Sequence, residues 1–306
     1  MDGFLIGFGF SALVWILTTC LWTWTSFTSG QQKVICIGNK PLISIVTVSL
    51  NQGEFIERNI KSVLNQKYSP IEHIIIDGAS TDQTVSILKK YPHLNWISEA
   101  DSGQAEALNK GIQKARGSII SILNSDDYFE DNVFESVMGV FQKHPDTKIV
   151  FGDCSFSDES GNVLYVKKGK FISFNDYASF FRKSNIQDPT IFHKRELFEE
   201  FGLLDESFDS MMTLDFYFRV FKKYRPYYLP QKLAYYRLHH KSKTIIEHLA
   251  GYGNTFFTES IKIRKKYWQK EWGSFRMSLG IYLIHRKIYY FLAEFWRLWF
   301  PNRWKS

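Results

Sequence analysis

The chain has 306 residues, 44% hydrophobic and 23% charged, which excludes a disordered polymer and fits one globular catalytic domain of roughly 200–230 residues with appendages. Its formal charge of +7 is modest, and the basic residues after position 160 are interleaved with aromatics, so no nucleic-acid partner is indicated. Cys20, Cys36 and Cys154 are odd in number and widely spaced, without a metal or disulfide pattern, and suit a reducing compartment.

Residues 1–32 read as a hydrophobic leader. No charged side chain lies between Asp2 and Lys33, and 4–24 is nearly all apolar or aromatic, long enough to cross a bilayer core as one helix. Trp22 and Trp24 sit where an aromatic belt is expected, and there is no basic start or small-residue cleavage site of a signal peptide. Lys33 and Lys40 follow the segment, so the positive-inside rule places the main domain in the cytoplasm, associated with the membrane. An interfacial helix is the alternative.

The run at 43–48 predicts a buried strand ending at Ser49-Leu50-Asn51, followed by a helix with Phe55, Ile56, Ile60, Val63 and Leu64 at helical spacing. A second strand at 73–76 stops at Asp77-Gly78-Ala79-Ser80-Thr81-Asp82, whose polar cluster caps the next helix. A short strand at 94–97, a helix at 105–114 and a strand at 118–123 complete the alternation. That last strand ends abruptly in Asn124-Ser125-Asp126-Asp127. Two carboxylates and an amide at a strand tip repel one another unless a cation sits among them, and hard oxygen ligands suit Mg²⁺ or Mn²⁺. Ser-Asp-Asp as a simple helix cap is the plain alternative.

Strands alternating with helices imply right-handed crossovers, so the polar turns share one edge and border a ligand crevice. No G-x-G-x-x-G follows a strand and no Walker A sequence occurs, which argues against dinucleotide and P-loop enzymes. From 147 onward the pattern predicts strands at 149–153 and 163–167, the segment IQDPTIFH at 186–193, a helix at 194–201, a helix at 214–223 and a strand at 227–237. This half reads as the acceptor side of the same domain. The tail from 245 to 306 is helical, and its aromatic, basic end at 288–304 suits either a membrane interface or packing on the domain.

Six segments, SIVTVSLNQGEFIERNIKSVLNQ (44–66), IIIDGASTDQT (74–84), WISEADSGQAEALNKGI (96–112), LNSDDYF (123–129), GLLDESF (202–208) and YRLHHKSKT (236–244), together resemble family 2 glycosyltransferases of the GT-A fold. The resemblance covers 41–244, two thirds of the chain, in the family's order and spacing. It implies an α/β, Rossmann-like nucleotide-binding fold: a mixed, mainly parallel sheet with helices on both faces, split into a nucleotide-sugar half (41–130) and an acceptor half (147–244). The implied activity is inverting transfer of a sugar from a UDP-, GDP- or dTDP-sugar to a hydroxyl acceptor, with Mg²⁺ or Mn²⁺, in cell-surface polysaccharide or glycolipid synthesis. A hydrophobic leader and an aromatic, basic tail are compatible with a lipid-linked saccharide acceptor.

Residue by residue, the resemblance implies that Val48 and Leu50 wall the base and Asp77 hydrogen-bonds it. Asp101, Asn109, Asn124 and Asp126 would lie at the nucleotide-sugar. Asp126 or Asp127, with His239, would serve the metal. Asn124 stands where the family has a first carboxylate and brings no charge. The family's base, an aspartate six residues before the arginine at 219, is Thr213 here, and Thr is no base near neutral pH. Asp215 is the nearest substitute, but it lies roughly 200° around the helix from 213. It can reach the site only if the helix begins at Leu214. Failing that, another base operates or the chain is a catalytically silent, nucleotide-sugar-binding scaffold. A nucleotidyltransferase is disfavoured because the loop at 49–53 is neither glycine-rich nor basic.

Overall fold

The computed structural model describes residues 36–37, 40–179, 183–249 and 255–267. The expected leader and the tail beyond 267 lie outside them. No described helix is long and apolar enough to cross a membrane.

After a small ladder of Cys36–Ile37 with Lys40–Pro41, the body begins with β1 (Ile43–Ser49), α1 (Ile56–Leu64), β2 (Ile71–Asp77), α2 (Thr84–Leu88), β3 (Asn95–Ser98), α3 (Gln104–Lys114) and β4 (Ile119–Ile122). Then come β5 (Tyr128–Phe129), α4 (Val133–Lys143), β6 (Ile149–Ser157), β7 (Val163–Lys167) and α5 (Phe174–Ala178). A single 3-10 turn (Asp188–Thr190) leads into β8 (Phe192–Lys194), α6 (Glu196–Phe201), α7 (Met212–Phe221), β9 (Tyr227–Arg237), α8 (Lys243–Leu249) and α9 (Thr255–Tyr267).

These strands form one nine-stranded sheet in the order β3-β2-β1-β4-β8-β6-β9-β5, with β7 paired to β6. The first half is parallel: β1 lies between β2 and β4, with β3 outside β2. The expectation of a mainly parallel sheet ends there. β8 runs antiparallel to both β4 and β6, β9 is parallel to β6 but antiparallel to β5, and β7 is antiparallel to β6. Connections after residue 123 are not helical crossovers between neighbours, so nothing constrains them to one direction.

β1 and β2 are buried on both faces, which is why they read as unbroken β-branched runs. Val46, Val48, Ile74 and Ile76 pack with Ala107, Leu108 and Ile112 of α3 and with α7. Ile43 and Ile45 face Val133, Phe134 and Val137 of α4, while Ile75 meets Ile56 and Ile60 of α1. Each fully buried aliphatic side chain contributes about 1.5–3 kcal/mol relative to exposure. Gly111 lets α3 approach β1 closely: a Cβ there would lie 2.4 Å from Cγ1 of Val46.

α4, for which the sequence carries no expectation above, supplies much of one layer. Residues 255–267, assigned to the tail, pack on α7 as α9, with Ile263 and Arg264 buried. The body thus extends past the expected boundary at 244.

Candidate active site

The carboxyl ends of β1 and β4 open onto a cleft of about 670 Å³, within the ~300–1,000 Å³ usual for small-molecule sites. Its wall includes Val48, Leu50, Asp101, Asn124, Asp126 and Asp127, together with Asp188, Thr213 and Lys241.

The loops at the strand tips tie one another in place. Asn51, at φ 53°, donates its amide N–H to Ser80 Oγ at 2.7 Å and accepts from Thr81 N at 2.9 Å. Gly53 N donates to Asp82 Oδ2 at 2.9 Å, and Gln52 N to Thr84 Oγ1 at 3.0 Å. The first two turns therefore form one rim, which holds Val48 buried and leaves Leu50 57% exposed at the cleft mouth.

Asp77 does not line the cleft as expected. It is fully buried, and its carboxylate accepts from Ser80 N (2.9 Å), Ser80 Oγ (2.5 Å) and Ser98 Oγ (2.6 Å). That is the turn-capping role, with no direct path to a base. Asn109 is likewise corrected: its amide donates to Leu204 O (3.0 Å) and Glu206 Oε1 (2.8 Å) and accepts from Leu204 N (3.0 Å), pinning the 204–206 loop from the far side of α3. Asp101 does reach the cleft, where its Oδ1 accepts from Gly103 N at 3.0 Å. Gly78 makes room for it, since a Cβ at 78 would sit 2.8 Å from Asp101 Oδ2.

The tip of β4 carries the polar core of the site. Asn124 accepts from Gln104 Nε2 at 3.1 Å. Asn59 of α1 braces the turn from behind, donating to the carbonyls of Asn124 (2.8 Å) and Asp127 (3.0 Å). Asp126 Oδ2 lies 3.0 Å from Nε2 of His239, whose buried ring packs on Phe55 at 4.3 Å. Asp127 is 2% exposed; its Oδ1 accepts from Arg237 N at 3.0 Å, and its Oδ2 has no partner. Burial, and after it the Asp126 charge, push the Asp127 carboxyl well above the usual carboxylate range. A buried carboxylate oxygen without a partner is costly unless a ligand satisfies it.

Asp215 does not enter the cleft. The helix α7 begins at Met212, so Thr213 and Asp215 are both within its first turn and point to opposite sides. Thr213 lines the cleft. Asp215 is 1% exposed and lies behind it, paired with Arg219 Nε (3.1 Å) and Lys266 Nζ (3.1 Å) and accepting from Tyr267 Oη (2.9 Å). Asp215, expected as the base, is thus sealed away from the cleft by its partners.

Two residues without an expected role bear on position 213. Asp188, in the 3-10 turn before β8, lines the cleft and accepts from Thr213 Oγ1 at 2.8 Å. Glu259 of α9 accepts from the backbone amides of Asp209 (2.8 Å), Ser210 (3.0 Å) and Met211 (2.9 Å), capping α7. Asp188 lay inside a segment already singled out, IQDPTIFH, but only the fold shows that it faces position 213.

The architecture is that of an α/β cleft with carboxylates at a strand tip. The family model for glycosyl transferase family 2 matches residues 44–202, just over half of the chain, and the chain belongs to that family. An uncharacterized glycosyltransferase of Haemophilus influenzae is 31% identical over 165 residues, covering 52% of this chain and 64% of the relative. Chondroitin synthase of Escherichia coli is 27% identical over 219 residues (68% of this chain, 30% of the relative). The putative teichuronic acid biosynthesis glycosyltransferase TuaG of Bacillus subtilis is 38% identical over 102 residues (31% and 40%). The chain thus spans less than two thirds of the length of these relatives.

Among solved structures, S. aureus TarS 1-349 in complex with UDP superposes with a TM-score of 0.53 at 18% identity, over 64% of this chain and 60% of that one. The mannosyltransferase PcManGT from Pyrobaculum calidifontis, in complex with GDP-Man and Mn²⁺, gives 0.53 at 16% identity over 95% and 89%. At these identities the likeness establishes the fold, a mixed sheet resembling GT-A glycosyltransferases.

Proposed function

We propose that this glycosyltransferase is an inverting, cation-assisted enzyme that moves a sugar from a nucleoside-diphosphate sugar to a hydroxyl acceptor in cell-surface polysaccharide or glycolipid assembly. The observation that carries the reading is the unpartnered, buried Oδ2 of Asp127 beside the Asp126–His239 pair, at a strand tip inside the cleft. The solved neighbours hold UDP or GDP-Man, and one of them Mn²⁺, which supports a nucleotide-sugar donor here. The relatives named for chondroitin and teichuronic acid support polysaccharide assembly. The expected leader and tail support a membrane-associated enzyme with its catalytic body in the cytoplasm.

The donor set fits Mg²⁺ or Mn²⁺. Among the described residues no three His, Cys, Asp or Glu side chains converge tightly enough to cage a cation alone. That suits ions held by one or two carboxylates and completed by substrate phosphates and water. Asp127 Oδ2 and Asp126 would be the carboxylate ligands, and His239, now beside Asp126, would be the third. A bound cation supplies positive charge for the departing diphosphate.

The chain's own residues do the rest. Val48 and Leu50 provide apolar wall for the base, Asp101 accepts from nucleotide hydroxyls, and Asn124 offers an amide to the ribose. Lys241 and Lys243 border the cleft near its acidic floor, paired at present with Glu54 (3.1 Å) and Asp209 (2.8 Å).

The test is calorimetric binding of UDP, GDP and dTDP to the purified protein with and without Mn²⁺. Cation-dependent binding of one nucleotide is expected. No binding of any would overturn the reading. Thr213 at the base position favours a second reading, a silent binding subunit, which predicts binding without turnover.

A further inference from the structure

The position at which family members carry the base is occupied by Thr213, and Asp215 is sealed behind the helix. Inverting transfer by single displacement still requires a group that takes the acceptor's proton. Five acidic residues line the cleft among the described residues: Asp101, Asp126, Asp127, Asp188 and Asp209. Asp126 and Asp127 are at the tip of β4 with His239. Asp101 belongs to the rim beside Gly78, on the nucleotide side. Asp209 is paired with Lys243 at the exposed edge. Asp188 and Asp209 come from the acceptor half, and of these two Asp188 is hydrogen-bonded to the side chain at position 213.

We infer that Asp188 is the catalytic base, displaced in sequence from α7 to the turn before β8, and that Thr213 is its positioning residue. The inference rests on the transferase reading above. Thr213 Oγ1 donates to Asp188 Oδ2 at 2.8 Å, so a carboxylate oxygen lies one hydrogen bond from the side chain at 213. Thr213 is itself fixed in the first turn of α7, which Glu259 caps through three amides. Asp188 is fixed from the other side by its 3-10 turn: Thr190 N donates to Gln187 O at 3.0 Å and Ile191 N to Asp188 O at 3.1 Å. The next three residues are strand β8, hydrogen-bonded on both edges in the middle of the sheet.

The position also suits the reaction's charge flow. Asp188 lines the same cleft as the Asp126–Asp127 tip without belonging to that tip. An anomeric carbon held between the two would have its leaving phosphate toward Asp126 and Asp127 and its attacked face toward Asp188. The acceptor O–H gives its proton to the Asp188 carboxylate as its oxygen bonds to the anomeric carbon. The bond from that carbon to the phosphate oxygen breaks, and the electron pair leaves with the nucleoside diphosphate. Thr213, having donated its hydroxyl hydrogen, keeps Oδ2 oriented and can still accept from the incoming acceptor.

The experiment compares the wild type, Asp188→Asn, Thr213→Asp and the double variant Asp188→Asn/Thr213→Asp in the full-length chain. Nucleotide affinity is read by calorimetry with UDP and GDP in Mn²⁺. Turnover is read as nucleotide release from GlcNAc, glucose, galactose, glucuronate and mannose conjugates of the nucleotide that binds, with water as the acceptor and enzyme in excess. Asp188→Asn should lower turnover by ~10²–10⁴-fold with nucleotide affinity within about threefold. The double variant should recover at least ~10-fold of that loss by returning a carboxylate to position 213. Equal turnover of wild type and Asp188→Asn, zero in both included, with nucleotide bound, overturns the assignment while leaving the donor site standing. Absence of nucleotide binding in the wild type overturns the transferase reading itself, and this assignment with it.

Discussion

Replacing Asp215 with asparagine separates a structural carboxylate from a catalytic one. The native side chain is 1% exposed and joins α7 to α9 through Arg219, Lys266 and Tyr267. Asparagine keeps the shape, loses the charge, and turns one acceptor oxygen into a donor that must face Arg219 or Lys266. Removing one partner of a buried ion pair costs roughly 3–5 kcal/mol. Two features reduce that here. Arg219 also donates to the carbonyls of Phe201 and Leu203, and Lys266 is 47% exposed with Asp205 at 3.4 Å as a second partner. A loss of about 2–3 kcal/mol is left, a fall in Tm of roughly 5–10 °C for a body of this size. Thermal and urea unfolding measure the first quantity, and turnover below the transition measures activity. Nearly full turnover at 20 °C with a lowered Tm is the expected pair. Unchanged stability with turnover abolished would refute the reasoning and restore Asp215 as the base.

Two further expectations concern buried ionisable groups. Asp127→Asn should abolish the effect of Mn²⁺ on nucleotide affinity yet raise the stability of the ligand-free protein by about 1–2 kcal/mol, because a neutral amide replaces a buried carboxyl whose charged form burial disfavours; urea midpoints and calorimetry on one preparation check both halves. His73 and His193 are fully buried, and desolvation pushes both down to about 3. Their folded values lie below the unfolded one, so protons bind preferentially to the unfolded chain. Stability is complete above about pH 6.5 and is lost as pH falls toward 3, on the order of 2 kcal/mol per histidine by pH 5. His193 sits among Phe198, Phe216 and Tyr217 with both ring nitrogens unpartnered, so His193→Phe should flatten the urea midpoint between pH 7 and 5. An unchanged slope would mean that this ring is hydrated or already charged.

The parts of this site legible in the sequence are those fixed by neighbours along the chain. β-branched runs ending in polar turns locate the tips of β1, β2 and β4, because a strand buried on both faces must stop where side chains become polar. Asn109 and Asp215 depart from expectation because their partners come from far along the chain. Asn109 looks like a ligand contact until Leu204 and Glu206, 95 and 97 positions on, take both ends of its amide. Asp77 has its partners nearby, in Ser80 and Ser98, and there the local capping role prevailed. Helix phase does separate Asp215 from Thr213. What periodicity could not supply was the two-residue-earlier start of α7, which Glu259 fixes from 48 positions beyond Met211.

The antiparallel strand β8 carries a consequence for how this enzyme could diversify. It is wedged between β4, which ends at the Asp126–Asp127 tip, and β6, and it begins two residues after the turn that holds Asp188. Backbone hydrogen bonds of the sheet therefore set the spacing between the nucleotide-facing and acceptor-facing groups, and no hinge lies between them. Substrate range cannot be widened by opening one half against the other. A new acceptor has to be accommodated by the chain that borders the cleft outside the sheet, from Asp209 to Met211, from Lys241 to Thr244 and at Phe256, where sequence can drift without altering the reacting frame.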